Sequence, residues 1–219
     1  MNVAKHTVPG PLSLAEQAYQ FLEEKLVTLE LSPGSFISEG KLIELSGFGR
    51  TPVREALQRL AQQEFFKVMP RKGLQVTSLS RSSMQDVLET RKPLDSLIVY
   101  RASLNARDEQ RGGLSAIARD LGLSHENFDQ FFSLDHDLSA LLDACSGNPF
   151  ATAAVLPLRS HCRRFWNFYR DQMQLADAIS ALSKLARLVA RREFRGAQKA
   201  SDVYITIMER MMLNISRLG

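Results

Sequence analysis

The segment from Gly47 to Leu60 constrains the fold of this chain more than any other stretch. A glycine-rich turn opens it, and a helix is expected to begin at Thr51-Pro52, because proline at the first helical position lacks only an N–H that has no partner there. Four apolar residues then recur at helical spacing and form one face, namely Val53, Ala56, Leu57 and Leu60. Arg50 and Arg54 lie off that face at its leading end. This pattern is typical of a DNA recognition helix, which is anchored by its apolar face and reaches base edges and phosphates with its N-terminal end.

The elements predicted around this helix complete a winged helix-turn-helix. An amphipathic helix is expected over Leu14–Glu30, and Ser38 is expected to cap a second helix over Glu39–Ser46. Two short strands, 65–68 and 74–76, are predicted to form a hairpin whose basic tip is Met69-Pro-Arg-Lys-Gly73, with a glycine available for a positive φ. Three helices followed by such a hairpin predict a wing that grips the groove beside the recognition helix.

Charge is distributed in agreement with this prediction. Residues 12–46 have a net charge of −4, whereas residues 50–72 have a net charge of +4. The positive charge therefore gathers on the proposed DNA face. For Arg59 and Lys67 a solvated surface role is as reasonable as a DNA contact.

These residues resemble the GntR family of bacterial transcription regulators from about Leu14 to Val76. The resemblance rests on Leu31-x-Pro-Gly34, Ser38-Glu39, Leu42, Gly49-Arg-Thr-Pro-Val-Arg-Glu-Ala-Leu-x-Arg-Leu60 and Pro70-x-x-Gly73-x-x-Val76. It implies that Arg50 and Arg54 contact bases and phosphates, with Gly49 and Thr51 beside them on the backbone. It also implies that Arg71, Lys72 and Gly73 enter the minor groove. The family usually has an arginine on its second helix where this chain has Gly40, and the neighbouring Lys41 is expected to replace it only in part, which affects affinity more than sequence choice.

The larger half of the chain predicts an all-helical bundle. Six helices are expected, with starts at Ser80, Ser124 and Asn148 among others: Arg81–Ala106, Asp108–Leu121, Glu126–Cys145, Pro149–Arg170, Gln174–Phe194 and Ala197–Arg217. A helical body of this length can bury a proper core. The fold class is therefore mainly α, an N-terminal winged helix-turn-helix plus a C-terminal all-helical bundle. The expected domains are an arm over 1–13, the DNA-binding domain over 14–78 and the helical domain over 79–219.

This half resembles the effector-binding FCD domain of the FadR-like branch of the family, with the six-helix VanR-type layout fitting better than the seven-helix FadR type. The anchors are Val87-x-x-Thr-Arg91-x-x-Leu-Asp95, Leu134-Asp135 and Gly147-Asn-Pro149. The resemblance implies an effector pocket containing Arg91, Asp135, Ser139 and Tyr204. Many such domains hold a divalent metal with one Asp and three His, and here the aligned positions are Asp135, Ser139, Leu182 and Tyr204. One carboxylate with hydroxyls is a poor site for an imidazole-preferring metal, so we expect no metal and no cofactor.

The pocket has two interpretations of equal weight. Arg91 in a metal-free pocket favours an anionic effector such as a carboxylate. Alternatively, Arg91 and Asp135 pair with each other and close a vestigial cavity. Arg159, Arg163, Trp166, Asn167 and Tyr169 on the fourth helix of this half are candidate lining residues, although its arginines are more often solvated and Trp166 is more often core.

The sequence also excludes several classes of protein. Met1–Ser13 lacks the apolar core of a signal peptide, no apolar run is long enough for a bilayer, and Cys145 and Cys162 are expected to be reduced packing residues, which together predict a cytoplasmic protein that does not contact membranes. No catalytic arrangement of Ser, His, Cys or Asp is visible, so an enzyme is not expected.

We therefore predict a transcription regulator, a repressor in most members of the family. It would bind double-stranded DNA at a palindromic operator as a homodimer, because one short recognition helix reads too few base pairs. A small, anionic metabolite in the helical domain would modulate operator affinity. The alternative is a DNA-binding dimer whose helical domain serves only dimerisation.

Overall fold

The computed structural model describes residues 12–124 and 127–215 of the chain. The chain divides into two compact units, residues 1–79 and residues 80–219. We call them the N-terminal unit and the helical unit. The expected arm falls almost wholly outside the described residues, as do His125 and Glu126, where the third helix of the helical unit was predicted to begin.

The N-terminal unit is a winged helix-turn-helix. Its elements are α1 (Leu14–Val27), β1 (Phe36–Ile37), α2 (Glu39–Ser46), α3 (Arg50–Gln62), β2 (Phe66–Met69) and β3 (Gly73–Val76). The predicted hairpin is confirmed as β2 and β3, but β3 lies in the middle of a three-stranded antiparallel sheet because β1 pairs with its other edge. Two residues carry no alternation signal, so β1 was not predicted from the sequence.

The core of this unit explains where its helices begin and end. The predicted apolar face of α3 is confirmed, since Val53, Ala56, Leu57 and Leu60 are all buried. The predicted start of α3 was wrong by one residue: Gly49 is the N-cap and Arg50 is the first helical residue. Proline is tolerated at the third position because the N–H groups of the first turn have no acceptor within the helix. The first helix ends at Val27 rather than at residue 30, and Leu29 adopts a φ of +66° in the turn that follows.

The described part of the helical unit contains six α-helices, the number expected from the sequence. They are α4 (Arg81–Asn105), α5 (Asp108–Gly122), α6 (Phe128–Ser146), α7 (Pro149–Phe168), α8 (Ala176–Ala190) and α9 (Phe194–Leu213). The side chains of Ser80 and Asn148 cap α4 and α7 as predicted. The cap of α6 is Asn127, not Ser124, and it accepts a hydrogen bond from the backbone N–H of Gln130 at 2.9 Å.

One helix boundary was assigned wrongly. Phe194 was predicted to end the fifth helix of this unit, but it begins α9, and Gly196 lies inside α9 rather than in a break. The chain turns at residues 191–193 instead, where Arg192 adopts a φ of +61°. A positive φ at arginine has no composition signal, whereas a glycine does, so the sequence placed the turn at the glycine.

The long helix α4 is central to this unit because it packs against α6, α7, α8 and α9. Residues on its inner face therefore meet side chains from several helices. Cys145 and Cys162 are free and buried, as predicted. Among the described residues, no helix is both long and apolar enough to cross a membrane.

Candidate nucleic-acid interface and helical-domain cavity

The leading end of α3 presents the residues predicted to contact DNA. Gly49, Arg50, Thr51 and Arg54 are all exposed, while Val53 on the opposite side of the first turn is fully buried. The N-cap residue Gly49 makes no side-chain hydrogen bond to the first turn. Backbone N–H groups at this end are therefore available, and the helix dipole favours an anion there. The end of α3 thus offers two cations and several N–H donors to a phosphate backbone.

Arg54 is held in place by the second helix. Its Nε lies 2.7 Å from Oε1 of Glu39, and its side chain remains 61% exposed. An exposed ion pair of this kind contributes little stability. Its geometric effect is larger, because one edge of the guanidinium is used and the two terminal nitrogens are left for another partner. Two parallel N–H donors match the acceptor edge of guanine in the major groove.

The two cations of uncertain role lie in different settings. Arg59 donates to Oε2 of Glu16 at 2.7 Å and lies over the ring of Tyr19 at 3.7 Å from its centroid. These contacts join α3 to α1, which favours the structural interpretation for Arg59. Lys67 is exposed on β2.

The wing tip is a strained turn that exposes two cations. Arg71 and Lys72 are exposed, and Arg71 adopts a φ of +63° while Gly73 adopts +86°. A Cβ at Gly73 would lie 3.0 Å from the carbonyl oxygen of Ile37 on β1. Glycine is therefore required at this position both for its φ and for the close approach of the neighbouring strand. The tight tip directs Arg71 and Lys72 away from the sheet.

The second helix has room for the arginine that the family usually carries. A Cβ at Gly40 would meet only the hydroxyl of Ser38, at 4.0 Å. Lys41, the expected partial replacement, is exposed and pairs with Glu44 at 3.1 Å. Part of its charge is thus already compensated within α2.

In the helical unit, a cavity of about 50 Å³ contains all four residues predicted for an effector pocket. Arg91 lies on α4, Asp135 and Ser139 on α6, and Tyr204 on α9. The remaining lining comes from α6 and α7: Phe132, His136, Ala140, Asp143, Leu156, Arg159, Cys162, Arg163 and Trp166. Arg91 and Tyr204 are buried, whereas His136 and Leu156 are exposed, so the cavity reaches from the bundle interior towards the surface.

A chain of buried ion pairs borders this cavity. Arg91 Nη2 lies 2.9 Å from Asp95 Oδ2, Asp95 Oδ1 lies 2.7 Å from Arg159 Nη2, and Arg159 Nη1 lies 2.8 Å from Asp143 Oδ2. The alternative in which Arg91 pairs with Asp135 was wrong, because the carboxylate that pairs with Arg91 is Asp95. Burial opposes the charged form of Asp95, but Arg91 and Arg159 outweigh it and lower the pKa of that carboxyl. Asp95 therefore stays ionised between two arginines.

The other two carboxyls of the cavity behave differently. Burial raises the pKa of Asp135, although Arg91 and the hydroxyl of Tyr204, which donates to its Oδ1 at 3.0 Å, act against that rise. Burial also raises the pKa of Asp143, outweighing the charge of Arg159. The pKa of Tyr204 is raised well above its usual value, first by burial and then by the charge of Asp135. Tyr204 therefore acts as a hydrogen-bond donor.

The four positions that align with a family metal site do not fit a metal. Leu182 is buried and offers no donor atom, and the Tyr204 hydroxyl is used by Asp135. Over residues 12–124 and 127–215, no three side chains of His, Cys, Asp or Glu converge as metal ligands. A carboxylate and hydroxyls without an imidazole are a weak donor set for zinc and similar ions.

Several cavity residues were misjudged or missed in the sequence. The arginines of α7 were expected to be mostly solvated, yet Arg159 and Arg164 are buried, and Trp166 is buried as expected. Asp143 and Cys162 were not predicted to line the cavity. For Asp143 a signal existed, because it continues the i, i+4 spacing of Asp135 and Ser139 along one face of α6. The pairing of Asp95 with Arg159, 64 positions apart, left no local signal.

Comparison with known proteins agrees with both units. The family described as "Bacterial regulatory proteins, gntR family" matches residues 14–76, and the FCD domain matches residues 86–206. A "Fatty acid metabolism regulator protein" of Proteus mirabilis is 27% identical over 202 residues, which are 84% of this chain and 83% of the relative. The "HTH-type transcriptional repressor RspR" of Escherichia coli is 25% identical over 179 residues, or 77% of this chain and 78% of the relative.

A solved structure shares the fold. The chain described as E. coli McbR/YncC superposes with a TM-score of 0.79 at 19% sequence identity, covering 93% of this chain and 98% of the other. The FCD match alone spans more than half of the chain, and the gntR match covers the winged helix-turn-helix. The chain therefore belongs to the GntR family of bacterial transcription regulators, with an FCD effector-binding domain, and it is not an enzyme.

Proposed function

We propose that the protein is a homodimeric repressor that binds a palindromic operator and is modulated by a small anionic metabolite in the cavity of the helical unit. The observation that carries the DNA-binding part is the exposed arrangement of Arg50 and Arg54 at the N-terminal end of α3. Gly49 and Thr51 accompany them on the backbone, and Arg71, Lys72 and Gly73 form the wing tip that enters the minor groove. The repressor role is supported by the printed name of one relative, a transcriptional repressor.

The dimer follows from the length of the reading element. The first two turns of α3 expose a few side chains, which discriminate only a few base pairs. Two copies related by a two-fold axis read two half-sites about one helical turn apart, so the operator is a palindrome.

Effector control is a population shift. A ligand that binds one arrangement of the helical unit better than another changes how often the two DNA-binding units are placed for the operator. The cavity that contains Arg91, Asp135, Ser139 and Tyr204 supports this part of the proposal.

The test of the DNA-binding part uses two arginines of the same helix. Arg54→Ala should cost about 1–3 kcal/mol of discrimination between operator and random DNA, because it removes a base contact. Arg59→Ala is the matched control, since Arg59 is engaged with Glu16 and Tyr19 and should leave discrimination unchanged. Gel-shift titrations on fragments from the surrounding genome measure both. Equal losses on operator and random DNA would show that Arg54 contacts only phosphate.

The second candidate function is a DNA-binding dimer whose helical unit has no effector. The observation that favours it is the small cavity and the internal neutralisation of Arg91 and Arg159 by aspartates. Titration of the protein–operator complex with a panel of metabolites separates the two, because a panel that never changes operator affinity supports the second candidate.

A further inference from the structure

Three residues that line the cavity carry a buried polar atom without a hydrogen-bond partner among the described residues. The atoms are Oδ1 of Asp143, Nε of Arg163 and Nε1 of Trp166. Buried polar atoms are almost always hydrogen-bonded in folded proteins, and leaving one unpaired is costly. Three such atoms around one cavity indicate that their partners belong to a bound molecule.

The surrounding contacts fix these side chains in place. Arg163 uses Nη1 on His136 Nδ1 at 2.7 Å and Nη2 on Ser160 Oγ at 2.8 Å, which leaves Nε. Asp143 uses Oδ2 on Arg159 at 2.8 Å, which leaves Oδ1. Trp166 is 1% exposed and packs edge-on against Phe165. A ligand that meets these atoms therefore loses little to side-chain ordering.

The donors and the acceptor are on different helices. Arg163 and Trp166 are three residues apart on α7, which places them on the same face, and both offer N–H donors. Asp143 on α6 offers an acceptor. Arg163 forms no ion pair within the described residues, whereas Arg91 and Arg159 are each paired with aspartate. The cation with spare charge is thus Arg163, beside the indole N–H.

The size of the cavity limits the ligand. A water-sized group needs about 10–15 Å³ of such volume, so 50 Å³ accommodates about four or five non-hydrogen atoms. That is the size of a two-carbon acid with one substituent. Larger cofactors and acyl chains do not fit the cavity in this conformation.

We infer that the effector is a short carboxylic acid with a hydrogen-bond donor, a hydroxyl or an ammonium group, on the carbon next to the carboxylate. Its carboxylate accepts from Arg163 Nε and Trp166 Nε1, and its donor group binds Asp143 Oδ1. This inference rests on the proposed function, and it assigns the anion to Arg163 rather than to Arg91.

Isothermal calorimetry on the full-length protein tests the ligand class with three probes of nearly equal size. Glycolate carries a hydroxyl, glycine carries an ammonium group, and acetate carries neither. We expect glycolate or glycine to bind at millimolar or lower concentration and at least five-fold more tightly than acetate. Whichever of the two binds more tightly identifies the donor as a hydroxyl or an ammonium group.

Two variants test the residue assignments. Trp166→Phe keeps an aromatic ring but removes the N–H, so it should weaken glycolate, glycine and acetate by a similar factor of about five to twenty. Asp143→Asn keeps an oxygen for Arg159 but removes the carboxylate acceptor, so it should lower the preference over acetate towards one. The matched controls are Tyr169→Phe on α7 and Asp137→Asn on α6, neither of which lines the cavity; both should bind like the wild type.

The inference is overturned if the wild-type protein binds acetate as tightly as the other two probes, or binds none of them at tens of millimolar. Unchanged binding by Trp166→Phe also overturns it, because only water then satisfies the indole N–H. A parallel gel shift keeps the proposed function separate. A different metabolite that releases the operator while all three probes fail removes the ligand class but leaves effector control intact.

Discussion

The two units of this regulator use arginine in opposite ways. In the N-terminal unit, Arg54 and Arg59 sit in ion pairs at the surface, with side chains 61% and 45% exposed. In the helical unit, Arg91 and Arg159 have side chains only 7% and 10% exposed, and aspartates compensate them. Surface arginines remain available to a polyanion, whereas buried ones are committed to the fold. The same residue at the same helical spacing therefore acquires a different role from its long-range partners.

The largest expected effect contrasts one ion pair from each unit. Asp95→Asn removes the carboxylate shared by two buried arginines, so it should lower the free energy of unfolding by about 3–5 kcal/mol. Glu16→Gln breaks the exposed pair with Arg59 and should cost about 0–1 kcal/mol. Urea denaturation of both variants measures the difference. Similar costs would mean that the buried network contributes no more than a surface pair.

The wing offers a contrast within the N-terminal unit. Gly73→Ala places a Cβ 3.0 Å from the carbonyl oxygen of Ile37 at a φ of +86°, and it should cost about 1–3 kcal/mol of local stability. Gly47→Ala is the matched control because its φ is +70° but its Cβ would meet nothing within 4 Å. Hydrogen exchange of the wing amides, together with operator affinity, measures both. Equal effects would show that backbone strain alone matters.

A gain of charge on α2 should strengthen DNA binding. Gly40→Arg places a cation where the family usually has one, and the site has room for it. We expect operator affinity to rise several-fold and its dependence on log salt to steepen by about 0.9 for one added phosphate contact. Gly40→Gln controls for the change in helix propensity. An unchanged salt slope would show that this position does not reach the backbone of the duplex.

The smallest effect concerns pH in the helical unit. Because burial raises the pKa of Asp135 above its usual 3.8, its contribution to stability is present below that value and is lost as the pH rises through the folded pKa. Asp95 has a lowered pKa, so its contribution is present above 3.8 and is lost as the pH falls through its folded value. Asp135→Asn should therefore lose less stability than the wild type as the pH rises above 4, by at most about 1.4 kcal/mol per pH unit. Melting temperatures across pH 4–8 measure it, and an unchanged profile would place the titration elsewhere.

Sequence patterns predicted the N-terminal unit well because its signals are local. The apolar face of α3, the cap at Ser38 and the hairpin each depend on residues within one or two turns. The two-residue strand β1 was missed, since it exists only through its pairing with β3.

The cavity was predictable only in part. The family resemblance supplied Arg91, Asp135, Ser139 and Tyr204, and all four line it. The ion pairs could not be assigned, because helical spacing does not say which arginine meets which aspartate across a bundle. The turn at Arg192 shows the same limit, since its positive φ is imposed by packing rather than by residue type.

The contact between Glu39 and Arg54 has a consequence for how the protein searches a chromosome. Arbitrary sequences attract a regulator mainly through their phosphates, and a nearby carboxylate reduces that attraction. A correct half-site offers base-edge acceptors to the two terminal guanidinium nitrogens, which the carboxylate does not occupy. In the proposed complex, Glu39 thus shortens the time spent on wrong sites while sparing the right one, so an acidic residue contributes to fidelity.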